Sequence, residues 1–93
     1  MSIIFEVMND NKIIILTETQ WKHIKFRHPE MVNKLYDIEK TIRKPHYKLY
    51  FDDNTRKYYK YIKEETKYIM VAIKIINGEG FVITSYLTSR IQK

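Results

Sequence analysis

Apolar residues follow three patterns along this chain: short uninterrupted runs, helical spacing, and alternation with period two. The run Ile13-Ile14-Ile15-Leu16 is short and largely β-branched, and an Asn- and Asp-rich stretch separates it from the apolar residues near positions 3–8. Short β-branched runs on both sides of such a stretch predict strands joined by a turn. The chain therefore begins either with a hairpin or with one strand that has a frayed lead-in.

A first helix is predicted over residues 18–27. Thr17 can cap it, and Gln20 stands where a capping box places its second member. The helix should end before Pro29, because the residue that precedes a proline disfavours helical angles.

Three residues of this region share one helical stripe, namely Trp21, Ile24 and His28. His23 and Arg27, which are four residues apart, fall on a different stripe. The sequence thus places His28 on the apolar stripe, whereas His23 shares its stripe with Arg27.

A second helix is predicted to start at Pro29 and to end at Pro45. Met31, Leu35, Ile38 and Ile42 recur at spacings of four, three and four, which is the pattern of an apolar helical face.

From residue 46 onward the pattern alternates with period two, which predicts strands over 46–51, 56–63, 67–76 and 80–87. We therefore expect an α+β fold, with N-terminal helices packed on one face of a four-stranded antiparallel β-sheet meander. Residues 1–93 should form a single domain.

The last predicted strand has an apolar and a polar side. Phe81, Ile83, Ser85 and Leu87 share one side, which we expect beneath the helices. Val82, Thr84, Tyr86 and Thr88 share the other side, which should be open. Cations and tyrosines that we expect to bind RNA there, or in the tail that follows, are Lys60, Lys74, Tyr58, Tyr59, Tyr68 and Arg90.

Composition narrows the classes of partner and of chemistry. Lys plus Arg number 17 against 11 Asp plus Glu, a formal net charge of +6 that attracts polyanions. The chain has no cysteine and two glycines, which excludes a thiolate metal site and a glycine-rich phosphate loop. We expect no metal and no cofactor.

No apolar run is long enough to span a membrane and no secretory signal is evident, so we expect a cytoplasmic protein without membrane contact.

The corner between the two predicted helices contains the side chains that are best suited to catalysis. His28 supplies an imidazole, which is suited to general acid or base catalysis near neutral pH. Arg27 can hold a phosphate through paired donors and stabilise developing negative charge. A helical histidine is more often structural or solvated, so the corner acquires functional meaning only together with the last strand.

The corner Arg27-His28-Pro29-Glu30 and the strand Ile83-Thr84-Ser85-Tyr86-Leu87-Thr88-Ser89 together resemble a known superfamily. It is the barnase, EndoU, colicin and RelE-like (BECR) nuclease superfamily, in particular its phage- and toxin-associated branch. The resemblance covers about residues 13–90 and implies metal-independent cleavage of RNA by attack of the ribose 2′-hydroxyl.

Carried onto this chain, the resemblance implies a role for each residue of the two motifs. His28 would act as base or acid, and Arg27 would stabilise the phosphorane. The remaining members would be Thr84 and Thr88 as phosphate contacts, Tyr86 as a stacking ring or second donor, and His23 as a spare imidazole.

Two other functions use the same open sheet face. One is a non-catalytic RNA-binding module with tyrosines as stacking platforms. The other is a protein-interaction domain. The expected partners are RNA and, for a toxin, an acidic antitoxin or immunity protein; a homodimer is compatible with the sequence.

Overall fold

A computed structural model describes residues 2–92 as six strands and two α-helices. The strands are β1 (Ile3–Asn9), β2 (Lys12–Thr17), β3 (Tyr47–Tyr50), β4 (Thr55–Ile62), β5 (Lys67–Ile76) and β6 (Glu79–Thr88); the helices are α1 (Glu18–Arg27) and α2 (Leu35–Arg43), with a 3-10 turn at Pro29–Met31 between them. No helix within this range is long and apolar enough to cross a membrane.

All six strands belong to one mixed sheet in the order β1-β2-β6-β5-β4-β3. The β1–β2 hairpin joins β6 through parallel pairing of Ile14 with Gly80 and of Ile15 with Phe81. Gly80 permits this approach, because a Cβ there would lie 2.9 Å from the Ile14 Cγ1 atom. The expected α+β fold of N-terminal helices on a four-stranded antiparallel meander is therefore wrong in strand number, strand direction and element order. The β2–β6 pairing joins distant segments, which the local apolar pattern does not report.

The N-cap predicted for α1 is confirmed, but the capping box is not completed, because the Gln20 side chain bonds to the Ile83 carbonyl instead. The Thr17 side chain accepts a hydrogen bond from the Gln20 backbone N–H at 3.2 Å. The second helix begins later than predicted: Pro29–Met31 forms one 3-10 turn, and α2 starts only at Leu35. The Lys34 N–H bonds to the Met31 carbonyl, which closes the intervening turn. Proline thus begins a single turn here rather than the long helix.

Both helices cover the same face of the sheet. Trp21 and Ile24 of α1 and Ile38 and Ile42 of α2 are buried against the strands. The strand residues that complete this core are Val7, Ile14, Leu16, Tyr58, Ile69, Val71, Ile73, Ile75 and Val82.

A bulge at Ile83 changes which residues of β6 share a face. Thr84 pairs with Ala72, but Val82 pairs with the next β5 residue, Ile73, so Ile83 has no partner in the ladder. Val82 therefore lies beneath the helices, and Phe81, opposite Lys74, lies on the other face. The predicted placement of these two residues is reversed. Beyond the bulge the predicted alternation holds.

The sheet curls around α2, so that its two edge strands approach each other. The Asp10 carboxylate, in the β1–β2 turn, accepts hydrogen bonds from Lys48 Nζ at 2.9 Å and from the Tyr50 hydroxyl at 2.5 Å. The neighbouring Asn9 donates to the carbonyl of Ile42 at the end of α2. We call the contacts of Asp10 with β3 the seam. The Tyr50 and Lys48 donors hold the pKa of Asp10 below its ordinary value.

The second sheet face carries a smaller buried cluster of Tyr59, Met70 and Ala72. Ile91, in the tail after β6, packs on it, and the Gln92 N–H donates to the Tyr59 hydroxyl at 3.3 Å. Burial raises the pKa of Tyr59. We call this side the open face; four residues of tail, 89–92, cover part of it.

Candidate active site

The free edge of β6 brings the helix corner to the open face. β2 pairs with β6 only at Gly80 and Phe81, so the rest of this edge has no neighbouring strand. Helix α1 lies along it, and the Gln20 side-chain amide donates a hydrogen bond to the Ile83 carbonyl. The bulge presents that carbonyl, which ties α1 to the strand at the level of Thr84.

His28 stands where α1 ends. Its backbone N–H donates to the Ile24 carbonyl at 2.7 Å, and Pro29 then redirects the chain. The imidazole is half-buried, and its centroid lies 5.1 Å from that of the Tyr86 ring at an interplanar angle of 44°. Glu30 Oε2 lies 3.9 Å from His28 Nδ1. A titratable ring, a phenol and a nearby carboxylate therefore meet at one point on the sheet edge.

Three hydroxyl-bearing residues of β6 lie on the same sheet face as the contact between His28 and Tyr86. Thr84, Tyr86 and Thr88 lie on the open face, since their β5 partners are Ala72, Met70 and Tyr68. All three are half-buried and reachable from solvent. Thr88 Oγ1 donates to the Arg90 carbonyl at 3.1 Å and accepts from the Arg90 N–H at 3.3 Å, so the tail occupies this hydroxyl.

Helix α1 holds its two other candidate residues away from this contact. His23 and Arg27 are exposed, whereas Trp21 and Ile24 of the same helix are buried. Arg27 directly precedes His28 at the C-terminal end of α1.

The structure divides the predicted RNA-binding residues between the two faces. Lys74 and Tyr68 lie on the open face, and Arg90 is exposed in the tail. Tyr59 also lies there but is 1% exposed, so its ring faces cannot bind a base.

Tyr58 and Lys60 lie on the helix-covered side, which corrects their predicted placement. Tyr58 is buried in the core and donates its hydroxyl proton to Asn9 Oδ1. Lys60 Nζ donates to the Lys44 carbonyl at the end of α2. Adjacent strand residues point to opposite faces, and two consecutive tyrosines give no signal of which one points inward.

Sequence reasoning missed two exposed tyrosines on the open face, Tyr47 and Tyr61. Their ring centroids lie 6.2 Å and 5.3 Å from that of Tyr68. The period-two alternation of β3 and β4 is the signal that could have found them. The packing of Ile91 on this face had no local signal, because it depends on where the tail turns.

A cavity of about 470 Å³ lies elsewhere, between α2 and the β4–β5 turn. Its lining carries four lysines and three carboxylates, and one pair of them, Lys34 and Glu65, forms an ion pair at 2.9 Å. The charges therefore nearly balance within the cavity. Among residues 2–92 no group of three or more His, Asp or Glu side chains is arranged to hold a metal ion.

No family model, no curated protein and no solved structure matches the chain. The function is therefore inferred from the geometry of the site.

Proposed function

We propose that the chain is a small metal-independent ribonuclease of the BECR superfamily that cleaves RNA by 2′-hydroxyl attack. The contact between His28 and Tyr86 is the observation that carries the proposal. It joins the helix corner to the last strand, the two motifs on which the resemblance rests. It also places an imidazole beside a row of hydroxyl groups on a solvent-accessible sheet face.

The geometry supports a division of roles around one phosphate. His28 removes the 2′-hydroxyl proton or protonates the departing 5′-oxygen, and solvent water takes up or supplies the proton at the other oxygen. Tyr86 and Thr84 donate hydrogen bonds to the phosphate oxygens, and Arg27 turns inward to stabilise the phosphorane. Thr88 joins them only when the tail releases its hydroxyl.

The roles of the remaining groups follow from where they lie. His23 is exposed on α1 and is not among the residues that contact Tyr86, so we assign it no catalytic step. The surplus of positive charge would attract RNA and, in a toxin, an acidic antitoxin or immunity protein that covers the open face. A cytoplasmic location belongs to the same proposal, and a homodimer is compatible with it.

The decisive assay is cleavage of a labelled unstructured RNA in excess chelator. We expect the parent protein to cleave and His28→Ala to lose about 100-fold or more, as is typical when a general acid or base is removed. Asn33→Ala, an exposed position in the loop before α2, is the matched control and should cleave like the parent. Thermal unfolding of both variants checks that the fold is intact.

The substrate supplies a second, independent arm. An oligonucleotide with 2′-deoxyribose throughout should resist cleavage, and RNA products should end in 2′,3′-cyclic phosphate, because the attacking oxygen is the 2′-hydroxyl. Cleavage of the deoxy strand, or equal cleavage by folded His28→Ala, would overturn the mechanism. Salt-sensitive binding without any cleavage would favour the RNA-binding module, and no RNA affinity at moderate salt would favour the protein-interaction domain.

A further inference from the structure

Three tyrosines form a cluster at one end of the open face. Tyr68 of β5 makes edge-on contacts with Tyr47 of β3 and with Tyr61 of β4, at interplanar angles of 71° and 72°. Tyr47 is 50% exposed and Tyr61 is 43% exposed. We call these three residues the tyrosine cluster. Its two outer residues are thus about half exposed, although rings of this size are usually more deeply buried.

The tyrosine cluster is continuous with the candidate active site. Tyr68 pairs with both Tyr61 and Thr88, so these three residues form one row across β4, β5 and β6. Tyr86 is two residues before Thr88 on the same face, which makes it the diagonal neighbour of Tyr68, about 7–8 Å away. Aromatic rings therefore extend from His28 at the helix corner to β3 at the far edge.

The electrostatics of this face suit a phosphate backbone. On β3, β4 and β5 the residues that share the face with Tyr68 include no carboxylate and two lysines, Lys57 and Lys74, which lie four residues from Tyr61 and six residues from Tyr68 along their strands. The carboxylates on this face, Glu6 of β1 and Glu79 of β6, lie toward the opposite side of the sheet. The exposed Arg90 in the tail adds a further cation beside Thr88. Positive charge on a sheet face that also carries exposed rings is the combination with which proteins bind single strands, since the cations attract the backbone and the rings stack on bases.

The backbone around the cluster is held in place. The Tyr61 N–H donates to His46 Nδ1 at 3.0 Å, and the His46 N–H donates to the Tyr59 carbonyl at 2.8 Å. These bonds anchor the start of β3 against β4. The rings are thus presented from a paired sheet, so little ordering is needed when a ligand binds.

We propose that Tyr47 and Tyr61 bind unpaired bases that flank the phosphate held at His28, so that the substrate is single-stranded RNA. The proposal rests on the proposed ribonuclease function and adds its substrate class. Bases inside a duplex already stack on one another and offer no free face, so only an unpaired segment can lie across the cluster.

Binding is measured by fluorescence anisotropy with an unstructured 2′-O-methyl RNA, which lacks the attacking hydroxyl and is not cleaved. We expect Tyr47→Leu and Tyr61→Leu each to weaken its Kd about fivefold or more, in line with the loss of one stacked base. Tyr61→Phe should bind like the parent, because stacking needs the ring and not the hydroxyl. Tyr36→Leu, which removes an exposed tyrosine on α2, is the matched control and should have no effect.

The same probe annealed to its complement tests the substrate class, and we expect it to bind at least tenfold more weakly. Equal affinity for the duplex, or unchanged affinity in both Leu variants, would overturn the proposal. Cleavage is scored separately with His28→Ala. Cleavage without dependence on the cluster rejects this inference alone, whereas binding that depends on the cluster without cleavage rejects the ribonuclease alone.

Discussion

The two faces of the sheet are built from the same strands but are covered differently. On one face α1 and α2 bury an apolar cluster in which Ile14, Ile38, Ile42 and Ile73 are completely inaccessible. On the open face Ile91 of the tail packs on three buried side chains together with Leu49, Tyr68 and Tyr86, and further partly exposed hydroxyls and rings surround them. Buried apolar area stabilises the first face, whereas the second leaves polar groups accessible. The larger apolar core thus lies on one side of the sheet, and the proposed RNA site lies on the other.

The largest effect on stability should come from the helix-covered face. Ile38→Ala removes a side chain of zero exposure, so the lost transfer free energy and the cavity together should lower the free energy of unfolding by about 3–4 kcal/mol. Urea denaturation measures it. A loss below about 1 kcal/mol would show that α2 contributes little to the core and would remove the contrast between the faces.

Gly80→Ala should lower the free energy of unfolding by about 2 kcal/mol, because the new Cβ meets Ile14 Cγ1 at 2.9 Å and Ile73 Cγ2 at 3.1 Å. The parallel β2–β6 pairing would then be strained. The double variant with Ile14→Ala, which removes one of the clashing atoms, should lose less than the sum of the two single variants. Additive losses would contradict the steric explanation.

The seam should give the stability a pH dependence. The folded state lowers the pKa of Asp10, so this carboxylate stabilises the fold above its unfolded pKa, and the stabilisation is lost as the pH falls through the folded pKa. The Asp10 hydrogen bond raises the pKa of Lys48 and of Tyr50, so their contribution is present below their unfolded pKa values and is lost as the pH rises through the folded ones. Stability should be greatest between these two limits.

Asp10→Asn tests the seam directly. It should remove about 1 kcal/mol at neutral pH, a modest loss because the pair is partly solvated, and should flatten the acid side of the stability profile. Urea denaturation between about pH 2 and pH 7 gives that profile. An acid limb identical to that of the parent would show that other carboxylates cause it.

The smallest effect should come from the tail on the open face. Ile91→Ala should lower the free energy of unfolding by about 1 kcal/mol or less, because Ile91 is only partly buried. Since burial raises the pKa of Tyr59, uncovering it should bring that pKa back toward its ordinary value. Spectrophotometric titration, with Tyr59→Phe to identify its signal, measures the change. An unchanged titration would mean that the strands alone bury the ring.

Local patterns predicted those elements whose causes lie within a few residues. The bounds of α1 followed from the Thr17 cap and from Pro29, and β5 followed from strict alternation over residues 67–76; both are confirmed. The placement of Thr84, Tyr86 and Thr88 together on the open face was also predictable, because no irregularity interrupts the alternation of β6 beyond the bulge. For the candidate site, the sequence pattern identified His28 and the hydroxyl residues of β6 but not the contact between them.

The rest depended on contacts between segments far apart in the chain. The sequence by itself determined the helix boundaries, the alternation of the later strands and the surplus of positive charge. These follow from backbone sterics, from side-chain period and from composition, which act locally or additively. Only the tertiary structure decided the parallel β2–β6 pairing, the face of Tyr58, the cover provided by Ile91 and the meeting of His28 with Tyr86. Each of these depends on packing between distant segments, and the physical reason is that close approach and burial exist only once the whole sheet has formed.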